Sequence, residues 1–246
     1  MPSSLRRVLW AAAVLPPVLL LLYIYRKDRV EKEPPRLLLR LFLGGCLAVL
    51  PAMALELAGL RVSLRLFQPG SLAESAFRCF VAVGAVEEGC KFFFLRTGSW
   101  RNPAFNYRFD ALVYAVFVSM GFALVENILY VAGDGTMATA LMRGVTAIPG
   151  HAAFAVFMGY CYGVAKMYGD AAGRCTDIRQ AQECQFLSRR FLQKAVWLPA
   201  LLHGLYDFCL EVQLPWMGAA FVAFVIALDL MAVRQIRRAG RSDARV

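Results

Sequence analysis

Two adjacent glutamates, Glu87 and Glu88, followed by Lys91, lie inside an apolar stretch long enough to cross a membrane. Neighbouring apolar stretches carry Glu126, His151, His203 and Asp207, and the two histidines are the only ones in the chain. An ionisable side chain in lipid is costly and by default marks a functional site. Carboxylates and imidazoles are also the groups that carry protons in acid–base catalysis. Their gathering at similar depth is the pattern of a catalytic centre, although each residue taken alone has a structural reading.

Spacing refines the pattern. Glu87 and Lys91 are four apart and share a helix face, while Glu88 lies about 100° round from Glu87. Two adjacent carboxylates repel each other in lipid. Lys91 offsets one of those charges and leaves the other for proton exchange. Phe122 and Glu126 are also four apart on the next helix, and Asn127 follows. His203 and Asp207 share a face, and a carboxylate one turn away can fix an imidazole's tautomer. His151 follows Pro149-Gly150, where a broken helix would expose backbone to a water cavity. At 1.5 Å per residue, Glu87, His203 and Glu126 lie about 13, 20 and 24 Å from one set of helix ends, within a core about 30 Å thick.

Other charged residues in the spans read as mainly structural. Glu74 and Arg78 are four apart and suited to pair. Arg143 suits a salt bridge to a carboxylate or a place at the outer interface. Asp110 marks where a span enters the membrane, and Glu56 and Asp229 have no partner in the pattern. Cys90 lies between the glutamates and Lys91, but no imidazole adjoins it in sequence to activate a thiolate.

The elements that position these residues follow from composition. The chain has 246 residues, is 59% hydrophobic and 18% charged, and has a mean hydropathy of +0.54. Soluble domains carry about a quarter charged residues. The expected fold is all-α: one polytopic transmembrane bundle over 1–246, without a separate soluble domain. Seven spans are expected, at 8–25, 37–59, 72–95, 110–131, 137–165, 191–212 and 216–233, within a range of six to eight. The first resembles a signal peptide, but charged residues rather than a cleavage site follow it, so it reads as a retained span. The fifth is a kinked helix or a short re-entrant helix followed by a span. The loop at 169–190 is the sizeable polar segment, expected as a short amphipathic piece at the surface. Gly159 and Gly163 form a small-x-x-x-small pair suited to close helix packing.

The net charge of +10 sits in loops between apolar stretches, and no nucleic-acid motif accompanies it. Arginine and lysine concentrate in 26–36, 96–109, 166–190 and the tail from Arg234, while the opposite loops hold Arg6, Arg7, Arg61 and Arg65. Positive loops favour the cytoplasm, so the N-terminus is expected outside and the C-terminus inside. Seven cysteines are present and none forms a C-x-x-C pair. Neither a disulfide framework nor a thiolate metal site is expected.

These residues resemble a known family. Glu87-Glu88-Gly89-Cys90-Lys91 is similar to the E-E-x-x-K motif of the PrsW intramembrane proteases, and Phe122 with Glu126 to their F-x-x-x-E motif. His151 matches their lone motif histidine, and His203 with Asp207 their H-x-x-x-D motif. Asp110-Ala111-Leu112-Val113-Tyr114 also fits. The ordered set covers about residues 75–210. The resemblance places the chain in a superfamily with the type II CAAX prenyl proteases and bacteriocin-processing proteins. Glu126 and Lys91 stand where the wider superfamily carries histidine and arginine, which favours PrsW.

The resemblance implies a metal-independent, glutamate-dependent peptidase of the bacterial cytoplasmic membrane, with no cofactor. It implies a single-span membrane substrate such as an anti-sigma factor, and leaves oligomeric state open. The expected catalytic set is Glu87, Glu88, Glu126, His151 and His203, supported by Lys91, Phe122, Asn127 and Asp207. Glu87 is the expected base on a water, and His203, steered by Asp207, would stabilise the oxyanion or protonate the leaving amine. A zinc protease using His151, His203 and a glutamate is the alternative enzyme, although H-E-x-x-H is absent. A proton-coupled transporter or a non-catalytic immunity-type protein on the same scaffold are the alternatives from other classes.

Overall fold

The computed structural model describes residues 3–28, 31–134, 136–212, 214–241 and 245, without the side chains of residues 3–7 and 134. Of the charges in the topology pattern, the side chains of Arg6 and Arg7 and the whole of Arg29 lie outside that set. Among the described residues the fold is all-helical, with a single isolated bridge between Tyr107 and Arg245. The helices are α1 (Ser3–Lys27), α2 (Pro35–Leu66), α3 (Leu72–Phe77), α4 (Val86–Ser99), α5 (Arg108–Asp134), α6 (Met137–Val145), α7 (Ala147–Arg174), α8 (Ile178–Glu211) and α9 (Met217–Ala239). A π-helical segment, Arg78–Ala85, joins α3 to α4.

Among the described residues, five stretches are long and apolar enough to cross a membrane: Val8–Lys27, Pro35–Leu66, Arg108–Gly133, Met137–Arg174 and Met217–Ala239. The other two expected spans, 72–95 and 191–212, are also helical. They are less apolar because they hold the charges of interest: Glu87, Glu88 and Lys91 in one, His203 and Asp207 in the other. The polar side chains of these two helices face inward, while their outer faces are apolar, with Phe93, Trp197 and Leu201 exposed. The outside of the bundle is greasy, with Leu39, Leu43, Leu47 and Leu50 of α2 all about half exposed or more, as lipid contact requires.

The central helices are α5 and α7. Buried residues run the length of both, from Phe109 to Ala123 on α5 and from Ile148 to Ala165 on α7. The expected glycine contact is made between them. A Cβ at Gly159 would lie 2.6 Å from the Leu112 Cα, and one at Gly163 would lie 2.8 Å from the Arg108 carbonyl. Only glycine lets the two backbones approach this closely.

Three expectations are corrected in detail. The fifth span is interrupted at Thr146, whose φ of −121° and ψ of −63° leave the helical region, and not at Pro149-Gly150. Pro149 sits in the first turn of α7, where a missing N–H costs nothing. His151 therefore stands on regular helix rather than beside a broken backbone. The polar stretch 169–190 is not a separate piece: α7 continues to Arg174 and α8 begins at Ile178, where the Asp177 side chain accepts from the amides of Arg179 and Gln180. An N-cap of that kind starts the helix early, before its apolar part.

Candidate active site

The third helical stretch delivers the glutamates. The π-helical turns Arg78–Ala85 end one residue before Val86, and such turns rotate the residues that follow relative to a regular helix. The widened backbone presses on α8. A Cβ at Gly84 would lie 2.8 Å from the Ala200 carbonyl and 2.9 Å from the Gly204 amide nitrogen, beside His203. Glycine at this position lets Glu87 and Glu88, on the next turn, come against His203.

Lys91 is the hub of the cluster. Its ammonium donates to Glu87 Oε2 at 3.0 Å and to Glu88 Oε1 at 2.7 Å, and lies 3.1 Å from His151 Nδ1. It also stands 4.2 Å over the Phe122 ring, a cation–π contact. Glu88 Oε1 is shared with His203 Nδ1 at 3.1 Å, and Glu87 Oε2 lies 3.8 Å from the same nitrogen. On the far side of the ring, His203 Nε2 is 3.5 Å from Asp207 Oδ2. His151 Nε2 meets Glu126 Oε2 at 2.7 Å.

One continuous polar chain therefore runs from Glu126 through His151, Lys91 and the two glutamates to His203 and Asp207. Glu87, Glu88, Lys91, His151 and His203 are all buried, while the side chains of Glu126 and Asp207 retain 19% and 28% exposure. The chain is open at its two ends and closed at its centre. Glu88 Oε2 is buried without a hydrogen-bond partner among the described residues. Aromatic rings wall the cluster: Phe154 stacks on His203 at 4.9 Å, and the two imidazoles meet edge to face at 5.3 Å.

Of the nine residues singled out, eight share this centre. Asn127 is the exception. It donates to the Ala13 carbonyl at 2.8 Å and accepts from Arg143 at 2.9 Å, joining α1 and α6 to α5. The structure also brings in residues that spacing did not select. Arg143 forms an ion pair with Glu126 Oε1 at 3.1 Å. Glu56 lies on the α2 face that carries Ala48, Ala52 and Gly59, within electrostatic reach of Glu87, Glu126, Lys91 and His203. The salt bridge to a carboxylate expected for Arg143 is made, but spacing could not name Glu126 as its partner or give Glu56 one, because those partners lie on other helices. Glu74 and Arg78 pair at 3.6 Å, as expected, and Arg78 also pairs with Glu211.

Two carboxylates and two imidazoles, from Glu87, Glu88, His151 and His203, bring one ligating atom each within 4.8 Å of one another. Such a set suits either proton transfer or a divalent metal.

Comparison with known proteins agrees with the geometry. The family description "PrsW family intramembrane metalloprotease" matches residues 33–233. "Protease PrsW" of Geobacillus kaustophilus is 33% identical over 229 residues, covering 93% of this chain and 91% of the relative. "Protease PrsW" of Bacillus subtilis is 30% identical over 229 residues, covering 93% and 94%. That of Clostridioides difficile is 30% identical over 223 residues, covering 89% and 86%. No solved structure matches the chain. A polar centre buried between apolar helices, with sequence similarity to these proteases along nearly the whole chain, identifies this multi-pass membrane protein as a member of the PrsW family of membrane proteases.

Proposed function

We propose that this protein is an intramembrane endopeptidase that cleaves a single-span, membrane-anchored regulatory protein by glutamate-activated water. The observation that carries the reading is the Lys91 ammonium seated between Glu87 and Glu88, with His203 facing both carboxylates. Glu87 takes the proton from the attacking water. Glu88 is fully buried and shared by Lys91 and His203, so it sets the charge around Glu87 and orients the ring. His203, held between Glu88 and Asp207, donates to the oxyanion and then to the leaving amine. Glu126 and His151 hold the opposite side of the water site.

An anti-sigma factor is the substrate class favoured by the family resemblance. The N-terminus outside and C-terminus in the cytoplasm is the topology favoured by the arginine distribution. A single catalytic membrane domain accommodates both.

A metal-dependent reading is favoured by the four converging donors and by the word metalloprotease in the matched family description. A bound zinc would supply a water acidified to near neutral pH. The donor types suit zinc, but the Lys91 ammonium lies within hydrogen-bonding distance of Glu87, Glu88 and His151. A dication and that ammonium exclude one another, so the side chains as arranged do not fit a metal.

Purified protein in liposomes, given a panel of single-span anti-sigma factors, separates the readings. Cleavage that survives chelation and is lost in Glu87→Ala and His203→Ala supports glutamate catalysis. Cleavage abolished by chelator and restored by zinc would overturn it.

A further inference from the structure

Arg143 belongs to none of the family motifs, yet its guanidinium is gripped at three points on α5. It faces Glu126 Oε1 at 3.1 Å as an ion pair, donates through Nε to Asn127 Oδ1 at 2.9 Å, and lies 3.8 Å over the Tyr130 ring. Its side chain is 16% exposed. A cation fixed in this way is not a solvated surface charge.

The other oxygen of the same carboxylate faces His151. Glu126 Oε2 lies 2.7 Å from His151 Nε2, while His151 Nδ1 lies 3.1 Å from the Lys91 ammonium. An ammonium offers only protons, so Nδ1 must accept. The ring proton then sits on Nε2 and is donated to Glu126. This requires Glu126 to be a carboxylate whose orientation does not drift. The break at Thr146 lets α6 and α7 approach Glu126 from two directions, Arg143 from one and His151 from the other.

We propose that Arg143 is a positioning residue of the active site. By pairing with Glu126 from behind, it holds His151 as the neutral tautomer protonated at Nε2, with the Nδ1 lone pair turned toward the Lys91–Glu87–Glu88 centre. An imidazole's partner at one nitrogen determines what the other nitrogen can do. Arginine suits the task because its planar fork reaches Glu126 and Asn127 together, which a lysine cannot do. Without Arg143, nothing among the described residues holds Glu126 Oε1 from behind. The carboxylate can then turn away from Nε2, and the tautomer protonated at Nε2 loses its acceptor. The inference rests on the placement of Glu126 and His151 in the proposed centre, but its test needs no substrate.

The chain has two histidines, so ¹⁵N-histidine labelling of the full protein in nanodiscs reports two rings, assigned with His203→Gln. The wild type should show His151 protonated at Nε2 and bare at Nδ1. Arg143→Gln should lose that signature, and Arg143→Lys should restore it in part. Asn127→Ala cuts the same tether at its neutral end and should retain it. Retention of the signature in Arg143→Gln, at a wild-type thermal midpoint, would overturn the proposal. So would a loss in Asn127→Ala as complete as in Arg143→Gln, because Arg143 would then be only an anchor for α6. If Arg143→Gln does not fold, the contrast between Arg143→Lys and Asn127→Ala decides. Failure of the Glu87→Ala cleavage test would remove the hydrolytic reading and leave this tautomer result standing, so the two failures are distinguishable.

Discussion

Two of the places where the molecule buries charged groups are built on opposite plans. The centre around Lys91 mixes signs: three glutamates and an aspartate are interleaved with an ammonium and two imidazoles. The second cluster lies at the arginine-rich end of the bundle and holds Glu33, Asp110 and Tyr114, all buried. Its donors are fixed. Tyr114 donates its hydroxyl to Glu33, and the backbone amides of Asn106 and Tyr107 donate to Asp110 at 3.0 and 2.7 Å. Those amides precede α5, so Asp110 caps the helix that carries Glu126. The second cluster holds carboxyl groups and a phenol but no imidazole and no ammonium, and it reads as a clamp between the chain before α2 and the start of α5. The Lys91 centre keeps open ends and an unpartnered Glu88 oxygen. Burial of charge by itself therefore does not mark the active centre; mixed proton donors and acceptors with access do.

The comparison can be broken at several points. Removing the proposed general base should have the largest effect: Glu87→Ala should lower cleavage by about 10²–10⁴-fold while leaving an inserted, folded protein. If Tyr114→Phe had that effect and Glu87→Ala did not, the roles assigned to the two clusters would be reversed. Lys91→Met should cost stability as well as activity. It leaves two adjacent carboxylates buried without their cation, and losing one partner of a buried pair costs about 3–5 kcal/mol. Denaturation in mixed micelles reads that loss, and an unchanged midpoint would show that the carboxylates do not depend on Lys91. Tyr114→Phe should destabilise by about 1–3 kcal/mol, because Glu33 loses its donor, with cleavage per folded molecule unchanged.

A pH slope in stability comes last, without an effect on cleavage per folded molecule. Burial, reinforced by Asp110 and opposed by the Tyr114 hydroxyl, pushes the Glu33 carboxyl up from 4.5 to about 8. Between those values the folded protein keeps a proton that the unfolded chain releases. The contribution of Glu33 is therefore greatest below about pH 4.5, declines as pH rises toward 8, and is constant above that. Thermal midpoints of Glu33→Gln and wild type, compared at about pH 5 and pH 8, should converge at the lower pH and separate at the higher, with the variant the more stable there. Equal separation at both would remove the titration from the account.

Much of the site was legible because it is local. Glu87 with Lys91, Phe122 with Glu126, and His203 with Asp207 are each four residues apart, and helical geometry puts such pairs on one face whatever the tertiary fold. The glycine contacts of α7 were legible for a similar reason, since spacing defines a smooth stripe. The contacts between stripes were not. That His151 lies between Glu126 and Lys91, and that Arg143 backs Glu126, depends on a break at Thr146 for which the obvious punctuation, Pro149-Gly150, was misleading. Asn127 stands among the expected supporting residues because it adjoins Glu126. Adjacent residues on a helix point about 100° apart, and Asn127 faces α1 and α6 instead.

By itself, the amino-acid sequence determined that this is a helical membrane protein, which stretches bury charge, and which charges share a helix face. Each of these is settled within a few turns by hydropathy and the 3.6-residue period. The tertiary structure decided which faces meet. It placed Lys91 at the focus of two glutamates and an imidazole, used a π-helical segment to turn Glu87 and Glu88 toward His203, and recruited Arg143 from a short helix outside the motifs. Those outcomes turn on distances of a few ångströms between helices far apart in the chain, and no local periodicity encodes them.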